Sequence, residues 1–221
     1  MGCRTSPSAC VAAVGKEVAS TAAVVKLALD AKTEADVVEE LEACADKARS
    51  EVLLRHAGDF AGPSPSAEEC RQPAKNAREK NVTWAMQLGT EMHEVAQTCA
   101  QAALEKLLPG RFSLEQRYLY NRQTRVKKPV SAEEERLLKE TGNLGELKGS
   151  VKPDVVIHTG DLLRVLAIYD FKFPCVNPKR PPSWNSYSDG RPYQNINQGE
   201  LYEEVFDVVP KQIYPRWGAI R

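Results

Sequence analysis

SVKPDVVIHTGDLLRVLAIYDFKFP, residues 150–174, is the stretch whose reading decides the fold. Apolar runs at 155–157 and 162–169 flank His158-Thr159-Gly160-Asp161, whose Thr-Gly-Asp is turn chemistry, so the stretch predicts a β-hairpin. Each strand carries an acid at its outer end. Asp154 opens the first strand directly after Pro153, and Asp170 ends the second, with Lys172 two residues on. Side chains at i and i+2 of a strand share a face, so Asp170 and Lys172 project together. A turn near residues 158–161 also brings Asp154 beside Asp170. Two carboxylates and an amine at one point of a sheet suggest a Mg²⁺ site beside a charge-stabilising lysine. The alternative is a surface Asp170–Lys172 pair with a strand-end Asp154. It is disfavoured because these charges abut strongly apolar strands that should be buried.

Outward from the hairpin, residues 82–108 predict a helix whose Leu88, Met92, Val95, Cys99 and Ala102 face the core, stopped by Pro109-Gly110. His93 lies on a flank of that face, where a lone histidine is structural or a ligand. Residues 112–120 alternate well enough for one strand. Residues 121–149 read as a polar insertion with a short helix near 131–139. Its basic start (Arg122, Arg125, Lys127, Lys128) suits phosphate contacts or a solvated loop. Beyond the hairpin, the long loop 174–193 interleaves Lys179, Arg180 and Arg191 with Trp184, Tyr187 and Tyr193. Cations among aromatics fit a nucleic-acid strand held by phosphate contacts and base stacking, or a rim loop packed on its own rings. A helix over 194–207 sets Gln198 and Tyr202 on one face, and 211–217 reads as a last strand.

The N-terminal part differs. Residues 9–30, rich in Ala and Val, predict one helix. A capping-box-like Thr33-Glu34-Ala35-Asp36 opens a second, with Val37, Val38, Leu41, Cys44, Ala45, Ala48 and Val52 on its apolar face. The two form an antiparallel pair, a packing or docking appendage without chemistry of its own. Residues 57–80, rich in Gly and Pro, mark the boundary, giving a helical region at 1–75 and a second domain at 76–221.

Composition sets limits. The 221 residues are 42% hydrophobic and 27% charged, as expected of a globular protein with a real core. Thirty basic and 30 acidic residues leave no net charge, so nucleic-acid binding has to rely on a local groove. No apolar run is long enough to span a membrane. No hydrophobic signal core opens the chain, so it reads as a mature or excised segment. Cys3, Cys10, Cys44, Cys70, Cys99 and Cys175 form no zinc-type spacing. They imply either one or two disulfides tying down the N-terminal part of an exported protein, or small buried thiols.

Pro153-Asp154 with Asp170-Phe171-Lys172 resembles the PD-(D/E)XK nuclease signature. Gly89-Thr90-Glu91-Met92-His93 resembles the G-x-x-x-H helix of RecB-type nuclease domains, and Gln198-Gly199-Glu200-Leu201-Tyr202 their Q-x-x-x-Y helix. The resemblance covers residues 82–217. It implies an α/β (α+β) fold with a restriction-endonuclease-like αβββαβ core: a central mixed sheet flanked by helices, here with an N-terminal helical extension. It implies a DNA-cleaving hydrolase in which His93, Asp154, Asp170 and the Phe171 carbonyl hold Mg²⁺ or Mn²⁺. Lys172 would be the catalytic lysine, with Gln198 and Tyr202 lining the site, and Glu115 is a further candidate ligand. Lys179, Arg180, Trp184, Arg191 and Tyr193 are the expected substrate contacts. With no phosphate-binding P-loop and no cysteine cluster, neither a motor nor an iron–sulfur cofactor is expected. A stand-alone nuclease with a short helical start resembles the nuclease effectors of bacterial polymorphic-toxin and type VI secretion systems. That likeness implies delivery into a target cell's cytoplasm and a cognate immunity protein.

Overall fold

The computed structural model describes residues 28–74, 82–176, 183–187 and 193–221. These form a mixed α/β structure. Its helices are α1 (Ala31–Arg55), α2 (Trp84–Leu107), α3 (Ala132–Glu140) and α4 (Gln198–Phe206). Its strands are β1 (Phe112–Leu114), β2 (Arg117–Asn121), β3 (Val126–Val130), β4 (Ser150–Val151), β5 (Val155–His158), β6 (Val165–Phe171), β7 (Lys211–Tyr214) and β8 (Gly218–Ile220). A five-stranded sheet runs β1-β5-β6-β7-β8, and a three-stranded sheet runs β3-β2-β4. Only β6–β7 is a parallel pair, so the larger sheet is mixed.

The hairpin forms as its residues predict. Gly160 takes φ 103, a conformation open to glycine, and the Asp161 carboxylate accepts from Leu163 N–H in an Asx-turn. That turn occupies Leu162 and Leu163, so the second strand starts at Val165 rather than at 162. Both strands are buried on both faces and separate two cores. Val155, Ile157, Tyr169 and Phe171 meet α1 and α2 on one side. Val156, Ile168, Leu201, Tyr202 and Phe206 pack together on the other, with Tyr118 and Val151 of the smaller sheet. The acids and Lys172 follow the second alternation and therefore face α4.

α1 starts at Ala31 because the Asp30 side chain caps Thr33 N–H (3.0 Å), ahead of the expected box at Thr33. Most of the expected 9–30 helix lies outside the described residues, and residues 28–30 are not helical. The partner of α1 is α2. The helices meet through Ala45 and Ala48 on one and Ala96 and Ala100 on the other, all fully buried, and share the Cys44–Cys99 disulfide. On α2 the buried row is Trp84, Leu88, Met92, Ala96, Ala100 and Leu104. It is an i+4 ridge that includes the expected Leu88 and Met92; Val95 and Cys99 are partly buried against the same core, and of the expected face only Ala102 is exposed.

Polar side chains of α1 also hold the end of the larger sheet. Glu34 pairs with Lys211 (2.7 Å), and Glu42 and Asp46 accept the backbone N–H groups of Ala219 and Arg216 (2.7 Å each). The expected boundary at residue 75 falls in 75–81, outside the described residues. The flanks of that segment pair with each other, Pro73 opposite Thr83. A second disulfide, Cys70–Cys175, joins the loop after α1 to the segment after β6. Of the two expectations for the cysteines, these bridges follow the first: each ties an N-terminal cysteine down, in both cases to a partner beyond residue 82; Cys3 and Cys10 lie outside the described residues. Among the described residues no helix is long and apolar enough to cross a membrane.

Three readings of strands change. The expected strand 112–120 is two strands in different sheets, because Glu115 takes φ 48 and breaks the alternation. The insertion 121–149 contains an edge strand, β3, as well as α3. The last strand continues past a turn into β8, with Arg216 (φ 68) and Gly218 (φ 72) left-handed.

Candidate active site

The pairing of Val155 with Tyr169 sets Asp154 and Asp170 next to each other at the open end of the hairpin. Both are buried. Asp154 Oδ2 accepts the Phe171 N–H at 2.7 Å, which fixes it against β6. Burial and the neighbouring Asp170 charge hold the Asp154 carboxyl well above the usual carboxylate range, against the pull of Phe171 N–H and Lys172.

Asp170 sits in a closed ring of polar side chains. Lys172 Nζ donates to Asp170 Oδ1 and to Gln198 Oε1 (2.7 Å). Gln198 Nε2 donates to Tyr202 Oη (2.8 Å), and the Tyr202 hydroxyl donates to Asp170 Oδ2 (3.0 Å). Gln198 Nε2 is itself 3.2 Å from Asp170 Oδ2. The start of α4 positions Gln198: Asn197 caps Glu200 N–H, Glu200 caps Asn197 N–H, and this capping box begins the helix at Gln198 rather than at 194. Tyr202 is one turn on, on the same face. Burial and the two aspartates push its phenol well up, so it remains a donor.

His93 reaches Asp154 from the α2 side, with Nδ1 3.4 Å from Oδ2 and its ring edge-on to Phe173. Burial pushes the imidazole below its ordinary range, so it is neutral near pH 7 and has a lone pair to offer. Glu115 N–H donates to the Asp154 carbonyl (2.9 Å), and its carboxylate is held by Lys152 (2.8 Å). Burial raises the Glu115 carboxyl, but hydrogen bonds from Lys152 and Gln97 outweigh this and leave it lowered. Lys152, which carried no signal beyond its place before Pro153-Asp154, also turns its carbonyl to Tyr202 Oη at 3.4 Å.

Trp184 covers the ring. Its indole lies 5.3 Å from Lys172 Nζ and edge-on to Tyr202. It packs so closely on Gly199 that a Cβ there would sit 2.6 Å from Nε1. Backbone bonds from Gln198 N–H to Asn185 O and from Tyr187 N–H to Ile196 O hold this segment on the start of α4. Tyr193, expected to contact substrate, is instead buried, with its hydroxyl bonded to the carbonyls of Gly149 and Tyr120. A ring enclosed on all sides cannot stack a base. Lys179, Arg180 and Arg191 lie outside the described residues. Phe171 places its ring in the core and its N–H on Asp154.

Hairpin, α2 and α4 therefore bring His93, Asp154, Asp170, Lys172, Gln198 and Tyr202 together. Among the described residues no three His, Cys, Asp or Glu side chains stand close enough for a ready-made metal cage. Lys172 takes Asp170 Oδ1, and Asp154 Oδ2 is on Phe171 N–H. The donor chemistry nevertheless suits a hard divalent cation, with two buried neighbouring carboxylates and a neutral imidazole. Comparison with protein-family models, with curated proteins and with solved structures returned no match.

Proposed function

We propose that this chain is a divalent-metal-dependent nuclease that hydrolyses phosphodiester bonds in DNA, built on a restriction-endonuclease-like core. The observation that carries the proposal is the closed Asp170–Lys172–Gln198–Tyr202 ring beside the buried Asp154. A polar ring at the meeting of two buried strands and a helix is expensive to bury unless it is fully bonded, and a purely structural role does not call for a second carboxylate held above its normal range. Asp154, Asp170 and His93 would hold Mg²⁺ or Mn²⁺. Such an ion supplies positive charge for a phosphate and acidifies a water.

The chain's own groups supply the rest. Lys172 brings an ammonium to the place where charge builds on the phosphoryl oxygens. Gln198 and Tyr202 fix the orientation of Asp170 and Lys172. Neutral His93 donates no competing charge. Trp184, half-buried over Lys172, offers a ring against which a nucleotide can rest.

The two disulfides support an exported protein, because such bridges persist in oxidising compartments. This favours an antibacterial effector that acts in a target cell and is neutralised by an immunity protein. Incubation of the purified chain with circular DNA, linear DNA and RNA, with Mg²⁺, with Mn²⁺ or with chelator, tests the chemistry. Cleavage of DNA only with metal, abolished in folded Lys172→Ala and Asp170→Ala, is expected. Metal-independent cleavage, or cleavage that survives both substitutions, would refute it.

A further inference from the structure

Arg49 lies on the buried face of α1 and is 4% exposed. Its Nη1 donates to the Pro174 carbonyl at 2.9 Å. Its Nε and Nη2 are buried and have no hydrogen-bond partner. These two N–H groups lie along one edge of the planar guanidinium and point the same way, the fork that grips a carboxylate or phosphate through two oxygens. A buried cation with both donors of that fork unmet is strongly unfavourable unless a ligand completes it.

Arg49 lines a cavity of about 420 Å³ between α1, the loop that follows it and the β7–β8 turn. Gly58 and Phe60 of the loop, Ser50 of α1 and Arg216 of the turn share the lining. Asp46 is the one acid among the lining residues, and its Oδ1 accepts the Arg216 backbone N–H at 2.7 Å. His56, also in the lining, is engaged by Asp59 and Glu91. Two arginines thus line one space together with one acid. Burial lowers the proton affinity of Arg49, and the charge of Arg216 adds to that effect, as expected of two neighbouring cations.

We infer that this cavity binds a phosphate-type oxyanion, held by the Nε/Nη2 fork of Arg49 with Arg216 as the second cation. A dianion matches two guanidiniums better than a single carboxylate does, and the volume admits a phosphate carrying a substituent. The ligand is a free phosphate or the terminal phosphate of a nucleic-acid strand. Neither the site nor its test depends on nuclease activity.

Calorimetric titration and thermal unfolding with inorganic phosphate test the site. Chelator is present, and ionic strength is matched with chloride. The wild type should bind phosphate and gain a few degrees in its unfolding midpoint. Arg216 is exposed and left-handed, a conformation asparagine tolerates, so Arg216→Asn should fold normally and weaken phosphate about tenfold, the effect of losing one charged contact. Arg49→Lys keeps the charge without the fork and should abolish binding. Should that variant fail to fold, Arg216→Asn decides alone. Competition by a 5′-phosphorylated dinucleotide, but not by its 5′-hydroxyl form, assigns the site to strand ends; displacement by neither assigns it to free phosphate. No phosphate effect beyond chloride, an equal effect of acetate, or unchanged phosphate binding in Arg216→Asn would each overturn the inference.

Discussion

Tyr202→Phe isolates the polar ring with the least disturbance to packing. The ring of Tyr202 is 2% exposed and stays in place in the variant, so the change removes one buried hydroxyl and little else. That hydroxyl donates to Asp170 Oδ2 at 3.0 Å and accepts from Gln198 Nε2 at 2.8 Å. A hydrogen bond to a charged group contributes ~1.5–3 kcal/mol. Gln198 Nε2 remains 3.2 Å from the same carboxylate oxygen and partly replaces it, so the lower end applies. The expected loss is about 1.5–2 kcal/mol in urea unfolding. If the orientation of Asp170 matters equally in the transition state, the cleavage rate falls about 10–30-fold, at roughly 1.4 kcal/mol per tenfold. Initial rates of plasmid nicking, with substrate held saturating, read the second number. Lost stability with an unchanged rate would show that the ring is architectural and that the site assignment is wrong. No change in either would mean that the hydroxyl is not bonded to Asp170 at all.

Gly199→Ala places a Cβ 2.6–2.7 Å from three indole atoms of Trp184, so the ring has to move by about 1 Å at an overpacking cost of ~1–3 kcal/mol. Red-shifted tryptophan emission together with slower cleavage is expected; unshifted emission would show that Trp184 does not cover α4. Cys44→Ala with Cys99→Ala opens a bridge of sequence separation 55, which loop entropy values at about 4 kcal/mol. With Cys70–Cys175 still closing an overlapping loop, about 2–4 kcal/mol should be lost in denaturant unfolding, and a loss below about 1 would argue that the thiols are unpaired. Glu135 is held by Arg117 and Lys139, and its carboxyl is lowered to about 2. A carboxyl depressed on folding stabilises above its unfolded value and loses that contribution as pH falls from about 4.5 through about 2. Allowing for screening near the surface, Glu135→Gln should cost about 1–2 kcal/mol at pH 7, with the gap to wild type closing towards pH 2. A pH-independent gap in urea titrations would remove the ion pair as its cause.

What could be read from the residues was what local chemistry dictates. The hairpin follows from Thr159-Gly160-Asp161 between apolar runs, and the juxtaposition of Asp154 with Asp170 follows from the turn. The pairing of Gln198 with Tyr202 follows from helical spacing. What depended on distant partners was not legible. Glu115 looks like one more alternating residue, yet its left-handed backbone sends the two halves of 112–120 into different sheets. β3 (Val126–Val130) reads as a basic loop because it is an edge strand, where exposed Lys128 and a proline, Pro129, are tolerated. Tyr193, read as a surface aromatic among cations, is a core residue because Gly149 and Tyr120 offer its hydroxyl their carbonyls. Cysteine spacing does not encode pairing, so neither bridge could be assigned in advance. On α2 the expected face holds except at the exposed Ala102, while the buried Ala96 and Ala100 carried no signal because alanines count as weakly apolar in sequence.

The two bridges interlock. Along the chain their cysteines alternate, Cys44 and Cys70 before Cys99 and Cys175, so residues 70–99 belong to both covalent rings. A single backbone cut anywhere between Cys44 and Cys175 therefore leaves one connected molecule. That span includes the exposed β2–β3 turn at 122–125 and every residue from His93 to Lys172. A protease outside a cell can nick such a protein without parting its acids from Gln198 and Tyr202. Under reducing conditions both rings open, and the same nick leaves fragments held only by packing, so the covalent tolerance of a backbone cut depends on the redox state of the surroundings.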